Sequence, residues 1–146
     1  MNSEYVHEFN SLLSGEISAV ETYDLALKKN FDGTMIQDLN TCRASHADRV
    51  TRLTQYVVDA GGEAASGSGP WGMFAAWAEK ATGSEKDALS VLEQLEAERL
   101  VQYENQRTIV PKPVLMVIDE VLLPAQHETH LVLSSRLKEM TALPSS

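Results

Sequence analysis

The chain has 146 residues, of which 43% are hydrophobic and 23% charged, and this balance suits one folded domain with a substantial core. Its formal net charge of −9 argues against nucleic acid and anionic membrane surfaces as partners, because both attract clustered Lys and Arg. No stretch is apolar enough to span a bilayer, the N-terminus lacks the pattern of a signal peptide, and the single cysteine, Cys42, provides no disulfide. We therefore expect one cytoplasmic domain covering residues 1–146.

Apolar residues recur at helical spacing in the first part of the chain. This periodicity predicts a helix over about residues 3–30 and a second helix over about residues 34–60. Gly33 is predicted as the C′ residue that ends the first helix, and Gly61-Gly62 ends the second. Only a few residues join the two helices, so they are expected to be antiparallel neighbours.

The same spacing returns near the start of the second half of the chain. It predicts a third helix over about residues 84–108, which Ser84 and Asp87 open as a capping box. A fourth helix is predicted over about residues 113–140, with Pro124 producing a kink or a loosened turn. The short break between these helices predicts a second antiparallel hairpin.

The segment between the two hairpins, about residues 61–83, is long for a connection inside a compact domain. It contains a flexible stretch, GGEAASGSGPWG, followed by the apolar piece MFAAWAEKA, which we predict as a short helix. A connection of this length can run from one end of a bundle to the other. The predicted fold is therefore all-α, a four-helix bundle of two antiparallel hairpins joined by a long crossover.

Two short patterns occur once in each predicted hairpin. Glu-x6-Tyr begins at Glu16 and at Glu96, and His-x5-Arg-Leu begins at His46 and at His130. The order is the same in both halves, which indicates a pseudo-twofold relation between the hairpins. All four residues lie on helical stripes where the core of a bundle would normally take leucine.

Counting residues from the predicted turns places Glu16 level with His46, and Glu96 level with His130, within about one helical turn. A carboxylate buried without a partner is strongly unfavourable, so these groups must pair, bind a cation or reach water. The sequence therefore predicts a polar site in the core.

The chain also contains the segments FNSLLSGEISAVETY, ASHADRVTRL, GSGPWGMFA and LLPAQHETH, which together span nearly its whole length. They resemble the ferritin-like superfamily, of the rubrerythrin and bacterioferritin type, and more narrowly a bacterial ferritin-like family that carries a domain of unknown function. In the superfamily, two helices each contribute a Glu and two others each contribute Glu-x-x-His to a metal centre. The resemblance therefore implies a ferritin-like bundle with metal ligands in its core.

The sequence departs from that pattern three residues before each histidine, where di-iron proteins have glutamates. Arg43 precedes His46 and His127 precedes His130 at this spacing, so fewer carboxylates remain to balance the charge of a metal centre. The prediction is therefore one divalent ion per chain, either iron or, in its place, manganese or zinc. The predicted ligands are Glu16, His46, Glu96, His130 and, as an additional ligand, His127.

Two functions remain open on this reasoning. One is a metal-binding protein in iron handling or oxidative stress, as the superfamily resemblance implies, with oxidase chemistry ranked below it. The other is a non-enzymatic structural or interaction bundle that has lost its metal, in which Arg43 satisfies Glu16 and Glu96. A role without catalysis is favoured, and a homodimer is the expected assembly.

Overall fold

The computed structural model describes residues 3–29, 31–67 and 84–142, and all regular secondary structure within these ranges is helical. The first three helices are α1 (Ser3–Ala26), α2 (Gly33–Asp59) and α3 (Glu85–Gln106). The last part of the chain forms α4 (Lys112–Val117), a π-helical turn (Ile118–Leu122) and α5 (Leu123–Ala142), which follow one another without a break. These three consecutive elements are called the fourth helix below.

α1 and α2 pack against each other as an antiparallel hairpin. Near the connecting turn, Arg43 Nε donates a hydrogen bond of 2.5 Å to Asp24 Oδ1. Towards the opposite end of the hairpin, the ring of Phe9 stacks on Tyr56 with 5.3 Å between the ring centroids. Residues late in α1 thus meet residues early in α2, as the short connection predicts.

The turn between α1 and α2 differs from the prediction at Gly33. Gly33 is the first residue of α2 and not the C′ residue of α1, because Asp32 is the N-cap of α2. Its carboxylate accepts a hydrogen bond of 2.9 Å from the backbone N–H of Met35. A left-handed glycine that ends a helix occurs instead at Gly61, with a φ of 88°, directly after the C-cap of α2.

Two local signals in the second hairpin have the predicted structural effect. The Ser84 side chain caps the N-terminus of α3 while the Asp87 carboxylate accepts a hydrogen bond from the backbone N–H of Ser84, which completes the capping box. The loosened turn predicted at Pro124 is the π-helical turn at Ile118–Leu122, just before the proline. A wider turn makes room for the proline ring. It also suits the absence of a backbone hydrogen bond at Pro124, because proline has no N–H to donate.

α3 and the fourth helix also form an antiparallel hairpin. Arg107 Nε donates a hydrogen bond of 2.5 Å to Asp119 Oδ1 near the connection, and His130 Nε2 lies 2.8 Å from Glu93 Oε1 further along. The fourth helix packs on α2 as well, and the whole arrangement is compatible with a four-helix bundle.

The interior has two apolar clusters, one towards each end of the helices. One cluster contains Tyr23, Leu39, Leu92 and Leu133, so that every long helix contributes to it. The other contains Leu13, Leu53, Tyr103 and Ile118, again one residue from each long helix. Between the clusters lies a set of buried polar side chains, which we call the polar layer. Its members are Glu16, His46, Arg49, Glu96, Arg99, Gln126 and Thr129.

The predicted crossover helix and the aromatic residues around it fall within residues 68–83, outside the described residues, and stay a prediction. The start of the connection runs beside α1, where Asn10 donates a hydrogen bond of 2.9 Å to the Glu63 carbonyl and accepts one of 2.7 Å from the Ala65 N–H. None of the helices in the described ranges is both long enough and apolar enough to cross a membrane.

Candidate functional site

Three of the predicted site residues meet in the polar layer. Glu16 comes from α1, His46 from α2 and Glu96 from α3. His46 Nδ1 lies 2.5 Å from Glu16 Oε2, and His46 Nε2 lies 2.7 Å from Glu96 Oε2. The side chains are 0%, 0% and 1% exposed, respectively, so solvent does not weaken these contacts.

The position of His46 between two carboxylates determines its protonation state. A neutral imidazole has only one N–H donor, whereas both ring nitrogens of His46 face carboxylate oxygens. Burial alone lowers the pKa of His46, but the charges of Glu96 and Glu16 and their hydrogen bonds outweigh it and hold the pKa above its usual value. His46 is therefore an imidazolium that links α1 to α3.

The two tyrosines of the Glu-x6-Tyr repeat bind the glutamates crosswise. Tyr23 on α1 donates a hydrogen bond of 2.5 Å to Glu96 on α3, and Tyr103 on α3 donates one to Glu16 on α1. Burial, together with the neighbouring carboxylate, raises the pKa of each tyrosine, so both hydroxyls remain protonated donors. This exchange of partners relates the two copies of Glu-x6-Tyr, but the two copies of His-x5-Arg-Leu are not related in this way, since His46 is fully buried and His130 is only half-buried.

A guanidinium group from α2 also enters the polar layer. Arg49, which is 1% exposed, donates from Nη1 to Glu16 Oε1 at 3.3 Å and to the amide oxygen of Gln126. Its Nη2 donates hydrogen bonds of 3.0 Å to Ser45 Oγ and to Thr129 Oγ1. Arg49 thus connects the Glu16 carboxylate with the fourth helix.

A second guanidinium group comes from α3. Arg99, which is 7% exposed, donates from Nε to Glu16 Oε1 at 3.4 Å and from Nη2 to the hydroxyl of Tyr103 at 3.1 Å. Burial by itself raises the pKa of Glu16, but the positive charges of His46, Arg49 and Arg99 overcome it and hold that pKa well below its usual value. Glu16 is therefore a carboxylate surrounded by cations.

Neutral side chains of the fourth helix satisfy the other carboxylate. Gln126 Nε2 donates a hydrogen bond of 2.6 Å to Glu96 Oε1, and Thr129 Oγ1 donates one of 2.7 Å to the same oxygen. Burial raises the pKa of Glu96, but the charge of His46 and the hydrogen bonds from His46, Tyr23 and Thr129 lower it below its usual value overall. Glu96 is therefore also ionised.

The remaining predicted ligands, His127 and His130, lie outside the polar layer. His127 is exposed, and His130 is half-buried with its Nε2 on Glu93 Oε1 at 2.8 Å. The inward positions of the fourth helix belong to Gln126 and Thr129, one residue earlier, so the predicted facing is wrong here. Leu122 and Leu123 are both buried, so the apolar residues of this helix are compatible with an inward face that carries either Gln126 and Thr129 or His127 and His130.

The prediction of an interior arginine is wrong at Arg43. This residue, expected beside Glu16 and Glu96, lies on the surface, with 38% of its side chain exposed and its guanidinium on Asp24. The buried face of α2 instead carries Cys42 and Arg49.

One sequence signal points to both buried arginines. Arg49 follows His46 by three residues and Arg99 follows Glu96 by three, so each shares a helix face with a residue already expected in the core. Arg99 and Glu96 both belong to the charged run LEQLEAERL, and both are buried. Charged residues at this spacing from a buried carboxylate or imidazole are candidate counter-ions.

The geometry of the polar layer suits mutual neutralisation. Glu16 contacts two guanidinium groups and the His46 imidazolium, and Glu96 contacts the same imidazolium. Arg49 Nε is buried without a hydrogen-bond partner among the described residues. Within residues 3–29, 31–67 and 84–142, no group of three or more His, Cys, Asp and Glu side chains is arranged to hold a metal ion. The nitrogens of His46 face the carboxylate oxygens themselves and do not point at a common third position.

Comparisons with the families of known proteins, with curated proteins and with solved structures give no match to this chain.

Proposed function

We propose that this chain is a ferritin-like four-helix bundle whose core holds a charge-compensated network in place of a metal centre. It acts as a non-enzymatic structural or interaction protein. The observation that carries the proposal is the presence of two buried guanidinium groups, Arg49 and Arg99, on the Glu16 carboxylate.

Charge is the physical argument against a metal ion in this network. The formal charges of the Glu16 and Glu96 carboxylates are matched by two guanidinium groups, both in contact with Glu16, and His46 between the two carboxylates adds a further positive charge. A divalent cation would add positive charge to a buried site that has no excess negative charge, where repulsion between like charges is poorly screened. The residues present therefore do not fit a resident metal ion.

The ferritin-like part of the proposal is supported by the positions of the inward residues. Glu16 and Glu96 stand on the first and third helices, as in the superfamily pattern. On the other two helices, the inward pairs His46/Arg49 and Gln126/Thr129 have the three-residue spacing of Glu-x-x-His, but in this frame His46 and Gln126 stand in place of the glutamates and Arg49 and Thr129 in place of the histidines. The crossover between α2 and α3, the homodimer and the cytoplasmic location belong to the same proposal.

One observation favours a second candidate, a protein that binds a single divalent ion. Glu16, His46 and Glu96 meet at one level of the helices, with the two carboxylates on opposite nitrogens of the His46 ring, so side chains would have to move before all three could bind one ion. Binding would require His46 to lose its proton and Arg49 to move away, and the ion would lack the predicted ligands His127 and His130. The roles in iron handling and oxidative stress depend on this candidate and stay predictions.

Elemental analysis separates the two candidates. The full chain is purified without added metal, incubated separately with Fe(II), Mn(II) and Zn(II), and passed through a desalting column before the ions are counted. The charge-compensated network predicts no ion retained above the level of a Glu16→Gln control. Retention of about one ion per chain that depends on Glu16 contradicts it and supports the second candidate.

A further inference from the structure

Arg99 reaches across from α3 and ends against the backbone of α1. Its Nη2 donates a hydrogen bond of 2.9 Å to the carbonyl of Leu12, and its Nη1 donates one of 3.1 Å to Gln102 Oε1. The guanidinium carbon lies 4.5 Å from the centroid of the Tyr103 ring. With its contact to Glu16, the guanidinium therefore has an acceptor on each of its three nitrogens and its carbon over an aromatic ring.

Gly15 leaves the space in which this group lies. A Cβ atom at residue 15 would come within 2.6 Å of the Nη1, Nη2 and Cζ atoms of Arg99. Side chains on a helix tilt towards its N-terminus, so residue 15 would normally cover the carbonyl of Leu12, three residues earlier. Without a side chain at Gly15, that carbonyl is open to a donor from the neighbouring helix.

We propose that Gly15, Leu12, Gln102, Tyr103 and Glu16 form a receptor for a planar guanidinium cation, which Arg99 occupies in the folded chain. By holding that cation on Glu16, the receptor keeps this side of the core closed to metal ions. We call these five residues the guanidinium seat. The inference rests on the proposed function, because it explains how the charge-compensated network is maintained.

The seat is specific for guanidinium and not for any cation. Its acceptors are distributed over all three nitrogens of the group: the Glu16 carboxylate on Nε, the Gln102 amide on Nη1, and the Leu12 carbonyl and the Tyr103 hydroxyl on Nη2. A guanidinium spreads five N–H donors over three nitrogens, whereas an ammonium group has its three donors at one point. Lysine at residue 99 would therefore keep the charge but lose most of these hydrogen bonds.

Chemical rescue tests the seat. Arg99→Ala removes the guanidinium and leaves the receptor, so about 20 mM guanidinium chloride, far too dilute to denature, should raise the Tm of this variant by about 2 °C. Equal concentrations of NaCl and of urea, which has a similar shape but no charge, should not. The double variant Gly15→Ala/Arg99→Ala should lose the rescue, because the new Cβ occupies the position of the ligand.

Gly33→Ala/Arg99→Ala is the matched control, since a Cβ at Gly33 meets nothing within 4 Å. Rescue that is retained in this control and lost in Gly15→Ala/Arg99→Ala supports the seat. Rescue that is absent, shared by urea, or equal in both double variants overturns it. If Arg99→Ala does not fold, the same question is put to the full wild-type chain, where a seated Arg99 Nε–H should exchange with water at least about tenfold more slowly than in the Gly15→Ala variant. Equal exchange overturns the proposal.

Metal binding separates failure of the seat from failure of the proposed function. Wild type should retain no Zn(II) or Mn(II), whereas Gly15→Ala should bind either ion at least about tenfold more tightly than Gly33→Ala does. If wild type already retains an ion at Glu16, the proposed function fails and the seat fails with it. If neither wild type nor Gly15→Ala retains an ion, the proposed function stands and the closing role of the seat is wrong.

Discussion

His46 Nε2 on α2 lies 2.7 Å from Glu96 Oε2 on α3, and this contact joins the two helical hairpins through a fully buried ion pair. The other ring nitrogen binds Glu16 within the first hairpin. One imidazolium therefore ties α1, α2 and α3 together at the level of the polar layer. Both carboxylates depend on it for part of their neutralisation.

Replacing His46 by leucine should destabilise the protein by about 3–5 kcal/mol, because Glu16 and Glu96 then lose a shared cationic partner inside the core. Urea unfolding at neutral pH measures the change. His130→Leu is the matched control, since His130 pairs with Glu93 at the half-exposed surface. Equal losses for the two histidines would contradict the bridging role of His46.

The pH dependence of stability should also identify His46. Its pKa is raised in the folded chain, so its contribution is fully present below the unfolded pKa, about 6.5, and is lost as the pH rises through the folded value. The difference in unfolding free energy between wild type and His46→Gln should therefore shrink as the pH is raised into the alkaline range. Urea unfolding of both proteins over a pH series tests this, and a difference independent of pH would rule it out.

Glu16 and Glu96 should act in the opposite direction at acidic pH. Their pKa values are lowered in the folded chain, so their contribution is present above the unfolded pKa, about 4.3, and is lost as the pH falls through the folded values. Acid unfolding of wild type should consequently depend more steeply on pH than that of Glu16→Gln/Glu96→Gln. Circular dichroism during an acid titration is the measurement, and identical slopes would count against buried, ionised carboxylates.

Tyr23 and Tyr103, which bind the glutamates crosswise, should contribute about equally to stability. Tyr23→Phe and Tyr103→Phe each remove a hydrogen bond to a buried carboxylate, which should cost about 1.5–3 kcal/mol. Tyr56→Phe is the control, because Tyr56 stacks on Phe9 away from the polar layer. Thermal unfolding compares the three variants, and a loss at only one of the two layer tyrosines would argue against their equivalence.

The facing of the fourth helix can be tested with a pair of neighbouring residues. Thr129→Val keeps the shape of a buried side chain but removes the donor to Glu96, so a loss of about 1–3 kcal/mol is expected. His127→Ala lies on the exposed face and should change stability little. The reverse order in urea unfolding would mean that the predicted frame, with His127 inward, is the correct one.

Arg49, the buried arginine of α2, should contribute more to stability than its exposed neighbour Arg52. Arg49→Met should cost about 3–5 kcal/mol, because it leaves Glu16 with less compensation and removes the donor to the oxygens of Gln126 and Thr129. Arg52→Met removes only an exposed pair with Asp48 and should have little effect. Unfolding by urea distinguishes them, and a small loss at Arg49 would contradict its central position.

The sequence alone determined the helices and part of the site. Helical periodicity and local caps depend on residues close together in the chain, so Ser84, Asp87 and the loosened turn before Pro124 could be predicted from spacing. The Glu-x6-Tyr repeat likewise located Glu16 and Glu96, because a polar residue on an otherwise apolar stripe identifies a buried position without any knowledge of its partner.

Only the tertiary structure decided which polar side chains bind Glu16 and Glu96. Thr129 and His130 are neighbours in the sequence, and the apolar residues of the fourth helix do not decide which of the two points into the core. The hydrogen bond from Thr129 to Glu96 shows that Thr129 does. Arg49 and Arg99 can be buried because hydrogen-bond acceptors from several helices meet around them. The sequence of one helix does not reveal which acceptors the other helices provide. The polar core predicted from the sequence is therefore real, but its neutralisation by arginine is a property of the packed helices.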